Sequence, residues 1–475
     1  MVWLHGLGCA CALLQCGALL AGLRLLLGDR LRPLFAGLAL AVFLPMQLYV
    51  FQYVSNEGLH AALATLALYL TLRILARDDT SLRSHLVLGA VLGLAMLAKF
   101  SALLTCAVVA AVLAGRLVAR RVRDPRVYAR TVGALALATL LLCGWHYARV
   151  ARRFGSPLVG NWDRASGFAW WMDPGYATAG WFLRFGRSLT APLFSALHGL
   201  PDALYSTLWG DGLLGGAAVI TVRPPWNYGL MAAGYLLALI PTAALLTGLA
   251  AALVRLVRAP RAADFLLVGA VGGTGFAILA MSLKLPFYAQ AKAFYGLAAM
   301  MGLCALAGEG FAILTRRARL TSALTFLLAT LLGVWALNAY ATFWIPGGRS
   351  GDPSGATLAA VDPAGLLGRA EAAAGQGRAG EEIAWLRRAT AAAPDHPVAW
   401  ARLGQSLARA GDVQGAIDAL REALRVTPRN PRIHGWLARL YAQAGEKGRA
   451  GYHQAYADRL AVLPYRPLSR PAGAN

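Results

Sequence analysis

The chain has 475 residues, 58% of them hydrophobic and only 14% charged, with a mean hydropathy of +0.54, which excludes an ordinary water-soluble domain. The formal net charge of +23 does not point to nucleic acid as a partner. Much of the arginine sits in short loops between apolar runs, where it orients membrane spans and meets anionic headgroups.

Apolar runs long enough to cross about 30 Å of hydrocarbon recur through the first 343 residues. They predict ten spans, near 2–27, 34–54, 57–76, 84–100, 101–119, 131–148, 228–257, 263–283, 296–314 and 320–343. The first lacks a basic leader region and a cleavage site, so it reads as a retained span. All six cysteines fall inside these runs and read as small apolar residues rather than as disulfide or metal ligands. Arginine clusters follow alternate runs: Arg24, Arg30 and Arg32; Arg73, Arg77 and Arg83; Arg116 through Arg130; Arg255, Arg258 and Arg261; Arg316, Arg317 and Arg319. If every run crosses once, these clusters share the cytoplasmic side. Glu57, the loop 149–227, the segment 284–295 and everything after 343 then lie outside, as does the N-terminus. Arg149, Arg152 and Arg153 depart from the pattern, as a long loop is free to do. The short runs 84–100 and 101–119 read as a tight hairpin with Lys99 at its outer tip, or else as one bent helix.

The loop 149–227 carries Trp162, Trp170, Trp171, Trp181, Trp209 and Trp226 among many glycines, prolines and aspartates. This density suits anchoring at the headgroup level, with sugar or lipid stacking as the second use. A linker at 344–361 leads to a domain at 362–463, and 464–475 is expected to be disordered. Trp400, Leu403, Gly404, Leu407, Gly411, Ala416, Leu420, Ala423 and Pro428 follow the tetratricopeptide pattern. Pro394 and Pro428 stand one 34-residue period apart. Flanking units in the same register make three stacked helix pairs, a fold that suits a protein partner without saying which. The expected fold class is therefore all-α: a polytopic membrane bundle followed by an α-solenoid.

Glu57 is the most informative single residue. It stands at the junction of two apolar runs with no nearby cation in sequence, and an ionisable group kept at such a place marks a functional site. The other explanation is a helix-start acid favoured by the helix dipole. Three segments carry a resemblance. YVSNEGL opens a span at Tyr53, LGLAMLAKF closes one from Leu92, and YAQAKAFYG precedes another from Tyr288. In order and sidedness they resemble the GT-C type glycosyltransferases that use polyprenol-phosphate sugars, such as protein O-mannosyltransferases and the aminoarabinose transferase of lipid A. The resemblance covers about residues 1–343. It implies a bacterial inner-membrane enzyme that passes a sugar from a lipid-phosphate donor to a glycan, lipid or protein acceptor outside, by inverting displacement and without a cofactor. Glu57 resembles the family's second acidic position, with Asn56 beside it.

Such chemistry needs a carboxylate to accept the hydroxyl proton and cations to hold the departing phosphate. Only Lys99, Lys284, Lys292 and Lys447 are lysine among 45 basic residues, and three of them fall at outer span ends. Lysine is a compact point charge suited to phosphate, so Lys99 and Lys292 are candidates for the donor phosphate, or else interfacial anchors. Tyr288 and Tyr295 support the same site or belong to an aromatic belt. Asp211, between two glycines after Trp209, is a second acidic candidate, with Trp209 stacking on a sugar; a plain glycine turn explains it equally. No His, Cys or acidic spacing suggests a metal.

The chain departs from the family in one respect. Its first run aligns with a later span, and the span and acidic outer loop expected before it have no counterpart. A start site downstream of the true one, or a shortened relative without the main acid, accounts for this. Three other readings compete. One is a non-catalytic membrane scaffold that presents the repeats to partners. Another is a polymerase or ligase of lipid-linked glycans. A transporter is the weakest, because no span interior carries paired charges and the sequence shows no clear pair of Gly- or Pro-broken helices.

Overall fold

The computed structural model describes residues 2–52, 55–159, 179–190, 192, 195–212, 226–284, 291–316, 321–345, 363–394, 396–426 and 430–461. Every regular element among them is helical. In chain order they are α1 (Val2–Leu27), α2 (Leu31–Phe43), α3 (Pro45–Val50), α4 (Asn56–Arg77), α5 (Leu82–Ala98), α6 (Ala102–Ala119), α7 (Pro125–Tyr128) and α8 (Ala134–Phe154). There follow α9 (Ala179–Leu183), α10 (Arg187–Thr190), α11 (Leu200–Trp209), α12 (Tyr228–Leu237), α13 (Leu239–Arg258), α14 (Ala262–Lys284), α15 (Met300–Leu314) and α16 (Thr321–Trp344). The last six are α17 (Pro363–Gly375), α18 (Ala379–Ala392), α19 (Pro397–Arg409), α20 (Val413–Val426), α21 (Pro431–Gln443) and α22 (Lys447–Ala461). Nine helical stretches among the described residues are long and apolar enough to cross a membrane, and α5 is a shorter apolar helix. Two expected continuous runs are broken. The helix stops at Leu44 before Pro45 and again at Ala238 before Pro241, since proline has no amide proton for the preceding turn.

The chain divides into two compact units: 1–158 with 236–278 and 293–343, and 159–235 with 279–292 and 344–475. In unit 1, small residues let helices approach closely. A Cβ on Gly310 would overlap the Ala244 carbonyl, and one on Gly248 the Leu306 carbonyl, so α13 and α15 cross in parallel at paired glycines. On its other sides α15 meets α2 at Gly37 and Gly308, and α14 at Gly302. Polar contacts fix direction. Glu57 at the start of α4 pairs with Lys99 after α5, while Asp78 after α4 pairs with Arg116 and Arg120 at the end of α6. Thus α5 returns along α4 and α6 turns back again, which decides for the hairpin over a bent helix. At the arginine-bearing end, Arg32 donates to the Thr315 carbonyl at 3.4 Å. There too, Arg255 forks between Asp264 at 2.8 Å and Glu309 at 2.5 Å.

Unit 2 contains the short helices α9 to α11, most of α12, and the solenoid. Trp181, Ala196, Leu200, Ala203, Ala291 and Ala393 form one buried cluster, with Tyr228 against it. The solenoid repeats strictly: Pro363, Pro397 and Pro431 each open a helix. Gly377, Gly411 and Gly445 hold the left-handed turns at φ +72°, +84° and +81°. Leu386, Leu403, Leu420 and Leu437 lie in its continuous core.

Candidate functional site

In unit 1 the sequence places Ser-Asn-Glu at the first turn of α4, where an acidic side chain faces the positive helix end. Glu57 makes an ion pair with Lys99, and the two side chains are only 13% and 14% exposed. Asn56 Nδ2 donates to the Ala98 carbonyl at 3.0 Å, satisfying one of the open carbonyls that end α5. The Lys99 ammonium lies 4.5 Å from the centroid of the Tyr295 ring, at cation–π distance. The turn just before α15 supplies that ring. Four of the expected residues, Asn56, Glu57, Lys99 and Tyr295, therefore meet at the end of unit 1 opposite Arg32, Arg116, Arg120 and Arg255, with Arg149, Arg152 and Arg153 of α8 at their own end. One turn further along α4, His60 is 2% exposed and its Nε2 has no hydrogen-bond partner. The sequence reading passed over His60, although its i+3 spacing from Glu57 was there to be read.

In unit 2, Asp211 accepts a long hydrogen bond of 3.4 Å from the Tyr228 hydroxyl. Lys292 lies within electrostatic reach of it. Burial pushes the Lys292 ammonium below its ordinary pKa, and the Asp211 charge acts in the opposite direction. The glycines around Asp211 have packing reasons: a Cβ on Gly210 would come 2.6 Å from the Tyr235 hydroxyl, and one on Gly212 would overlap the Ser206 side chain. Trp209 is 2% exposed with its ring against Tyr205, so it offers no open face for stacking on a sugar. Trp181 and Trp226 are buried too, at 1% and 7%. These three tryptophans serve as core, not as anchors in a headgroup layer, because the short helices around them need large apolar side chains to close a core of their own. Tyr288, with Trp162, Trp170 and Trp171, lies outside the described residues. A further pair went unread: His198 Nδ1 and Asp202 Oδ2, 2.8 Å apart, at the i,i+4 spacing.

The tetratricopeptide repeat family model matches residues 397–440, the span of α19, α20 and most of α21. No curated protein matches the chain.

Proposed function

We propose that the chain is a multi-span bacterial membrane glycosyltransferase that moves a sugar from a polyprenyl-phosphate donor to an acceptor outside the cytoplasm. The observation that carries this reading is the meeting of Glu57, Lys99 and Tyr295. These residues come from the three segments that resemble the GT-C enzymes, and they converge at the end of unit 1 opposite Arg32, Arg116, Arg120 and Arg255. Nine long apolar helices among the described residues, with exposed leucine and phenylalanine faces, support insertion in a bilayer. Arginine at one end supports placing that end in the cytoplasm.

In this reading the acceptor hydroxyl oxygen attacks the anomeric carbon as its proton passes to the Glu57 carboxylate, the electron pair of the breaking carbon–oxygen bond leaves on the phosphate, and the anomeric configuration inverts. Glu57 holds the Lys99 ammonium beside Tyr295, leaving its remaining N–H donors for the donor phosphate. The solenoid suits protein interaction in general, and here it positions the acceptor or a partner.

The test is transfer by the full chain in proteoliposomes, using a panel of polyprenyl-phosphate sugars and a simple glycan acceptor. Glu57→Gln is expected to lower transfer by at least about 100-fold, the smaller end of what a positioned acid–base or charge-stabilising group contributes. Wild-type-like transfer by that variant would remove Glu57 from the site, and no transfer by the native chain would remove the whole proposal. In that case the Glu57–Lys99 pair is a structural tie, and the scaffold reading, which rests on the repeat, takes its place.

A further inference from the structure

The three arginines that close α8 in unit 1 are left without a role above. All three are exposed, and the helix carries no aspartate or glutamate. None pairs with a carboxylate among the described residues. Arg149 lies 5.6 Å from the centroid of the Trp145 ring instead, and Arg153 5.4 Å from that of Phe154. The helix dipole accounts for Arg152 and Arg153 in the last turn, but not for Arg149 before it. Leu137, Leu141, Trp145, Arg149 and Arg153 follow at four-residue spacing and so form one row along the helix. The row runs from apolar through aromatic to cationic. Leu137 is 56% exposed, Leu141 72% and Trp145 59%. At a rise of about 1.5 Å per residue, Trp145 and Arg149 are about 6 Å apart along the axis. That matches the interfacial layer between hydrocarbon and water, about 5–8 Å deep. The Trp145 indole N–H is taken by the Leu142 carbonyl at 2.9 Å, which holds the ring against its own helix. The other side of this turn is occupied: the Tyr147 hydroxyl, about 200° around from Trp145, donates to the Met96 carbonyl of α5 at 2.7 Å. The exposed row is thus the face of α8 turned away from α5.

We propose that this end of α8 binds the phosphate of an anionic lipid headgroup, with the acyl chains lying along Leu141 and Leu137. Three guanidinium groups on a helix without acids complement a phosphate, which the planar arginine fork meets with two N–H donors at once. The exposed leucines continue the same row into hydrocarbon, and a soluble anion or an acidic protein segment would leave them uncovered. The inference rests on insertion in a bilayer, which the proposed function also needs, and not on sugar transfer.

The test uses the full chain in phosphatidylcholine vesicles that contain rising fractions of brominated phosphatidylglycerol or brominated phosphatidylcholine. Bromine quenches tryptophan at contact distance, and the difference between the native chain and Trp145→Phe isolates Trp145 among the 13 tryptophans. Quenching of Trp145 is expected to show phosphatidylglycerol preferred by at least about fivefold, what one basic residue near an anionic surface contributes. The preference should vanish when Arg149→Gln, Arg152→Gln and Arg153→Gln are combined. It should vanish also in the native chain at about 1 M salt, where charges are screened beyond about 3 Å. Equal quenching by both lipids, no quenching of Trp145 by either, or a preference that survives the three substitutions would overturn the inference and leave the transferase reading standing. A native chain that does not float with the vesicles removes both. Should the triple variant fail to fold, the salt series on the native chain decides, because a preference untouched by high salt is not made by the arginines.

Discussion

Unit 1 and the solenoid of unit 2 are both wholly helical among the described residues, yet they are held together differently. The solenoid buries a row of leucines, and among its described residues Tyr452, at 62%, is the large hydrophobic side chain left exposed. Unit 1 leaves Leu141 at 72%, Phe276 at 70%, Leu337 at 68% and Val257 at 86%, and closes its interior with glycines instead. A helix whose outer face is as apolar as its inner one gains little from burying leucine against a neighbour in an apolar surround. Close backbone approach and a few polar ties then set the packing. In water the hydrophobic difference between faces does that work. The same residue type can therefore be indispensable in one region and a weakness in the other.

The largest expected effect comes from Gly310→Val in unit 1. The obstacle is the backbone of Ala244, which cannot rotate aside as a side chain can. The cost should exceed the about 1–3 kcal/mol of ordinary overpacking. Loss of monodisperse protein in detergent size-exclusion chromatography is the expected outcome, and a native profile would break the account of unit 1. In the solenoid the sensitive position is a large residue. Leu420→Ala empties a site that is 1% exposed and should cost about 2–5 kcal/mol, read as faster amide exchange across α19 and α20.

A third effect is confined to the solenoid and depends on pH. His396 is buried and caps α19, its Nδ1 accepting from the Ala399 amide at 3.2 Å, and burial lowers its pKa to about 4 from an ordinary value of 6.5. The folded value lies below the unfolded one, so the contribution is fully present above pH 6.5. It is lost as pH falls from there toward 4, at about 1.4 kcal/mol per pH unit, up to about 3 kcal/mol. His396→Asn keeps a capping side chain without the titration. Its amide-exchange protection in α19 should be flat over that window, where the native chain weakens. The smallest effect has the opposite sign to the first. Gly435 sits within α21 with open space around a Cβ, so Gly435→Ala should raise stability by about 0.5–1 kcal/mol. A glycine that helps in one unit and hurts in the other is the sharpest form of the comparison.

Much of this could be read along the chain. The apolar runs gave the long helices nearly to the residue, as at Val2–Leu27 and Asn56–Arg77. The 34-residue period set the solenoid turns at Gly377, Gly411 and Gly445. Pro45 and Pro241 were visible too, but a hydropathy window averages over a single proline, so the breaks they cause were missed. Trp181, Trp209 and Trp226 were misassigned because an aromatic residue in a loop looks alike whether it faces a headgroup layer or a core. Composition alone does not tell these apart.

By itself the sequence determined which stretches are helical, which of them are apolar on all sides and which on one, and where arginine gathers. All of these depend on residues a few positions apart, the range over which a helix repeats. Only the tertiary structure decided that Lys99 neutralises Glu57 across 42 residues, that Tyr295 covers the ammonium, and that the Gly-Asp-Gly turn is shaped by Tyr235 and Ser206. Those contacts depend on the rotation and offset of one helix against another. That registry is fixed where glycine allows two backbones to touch, and no local period records it.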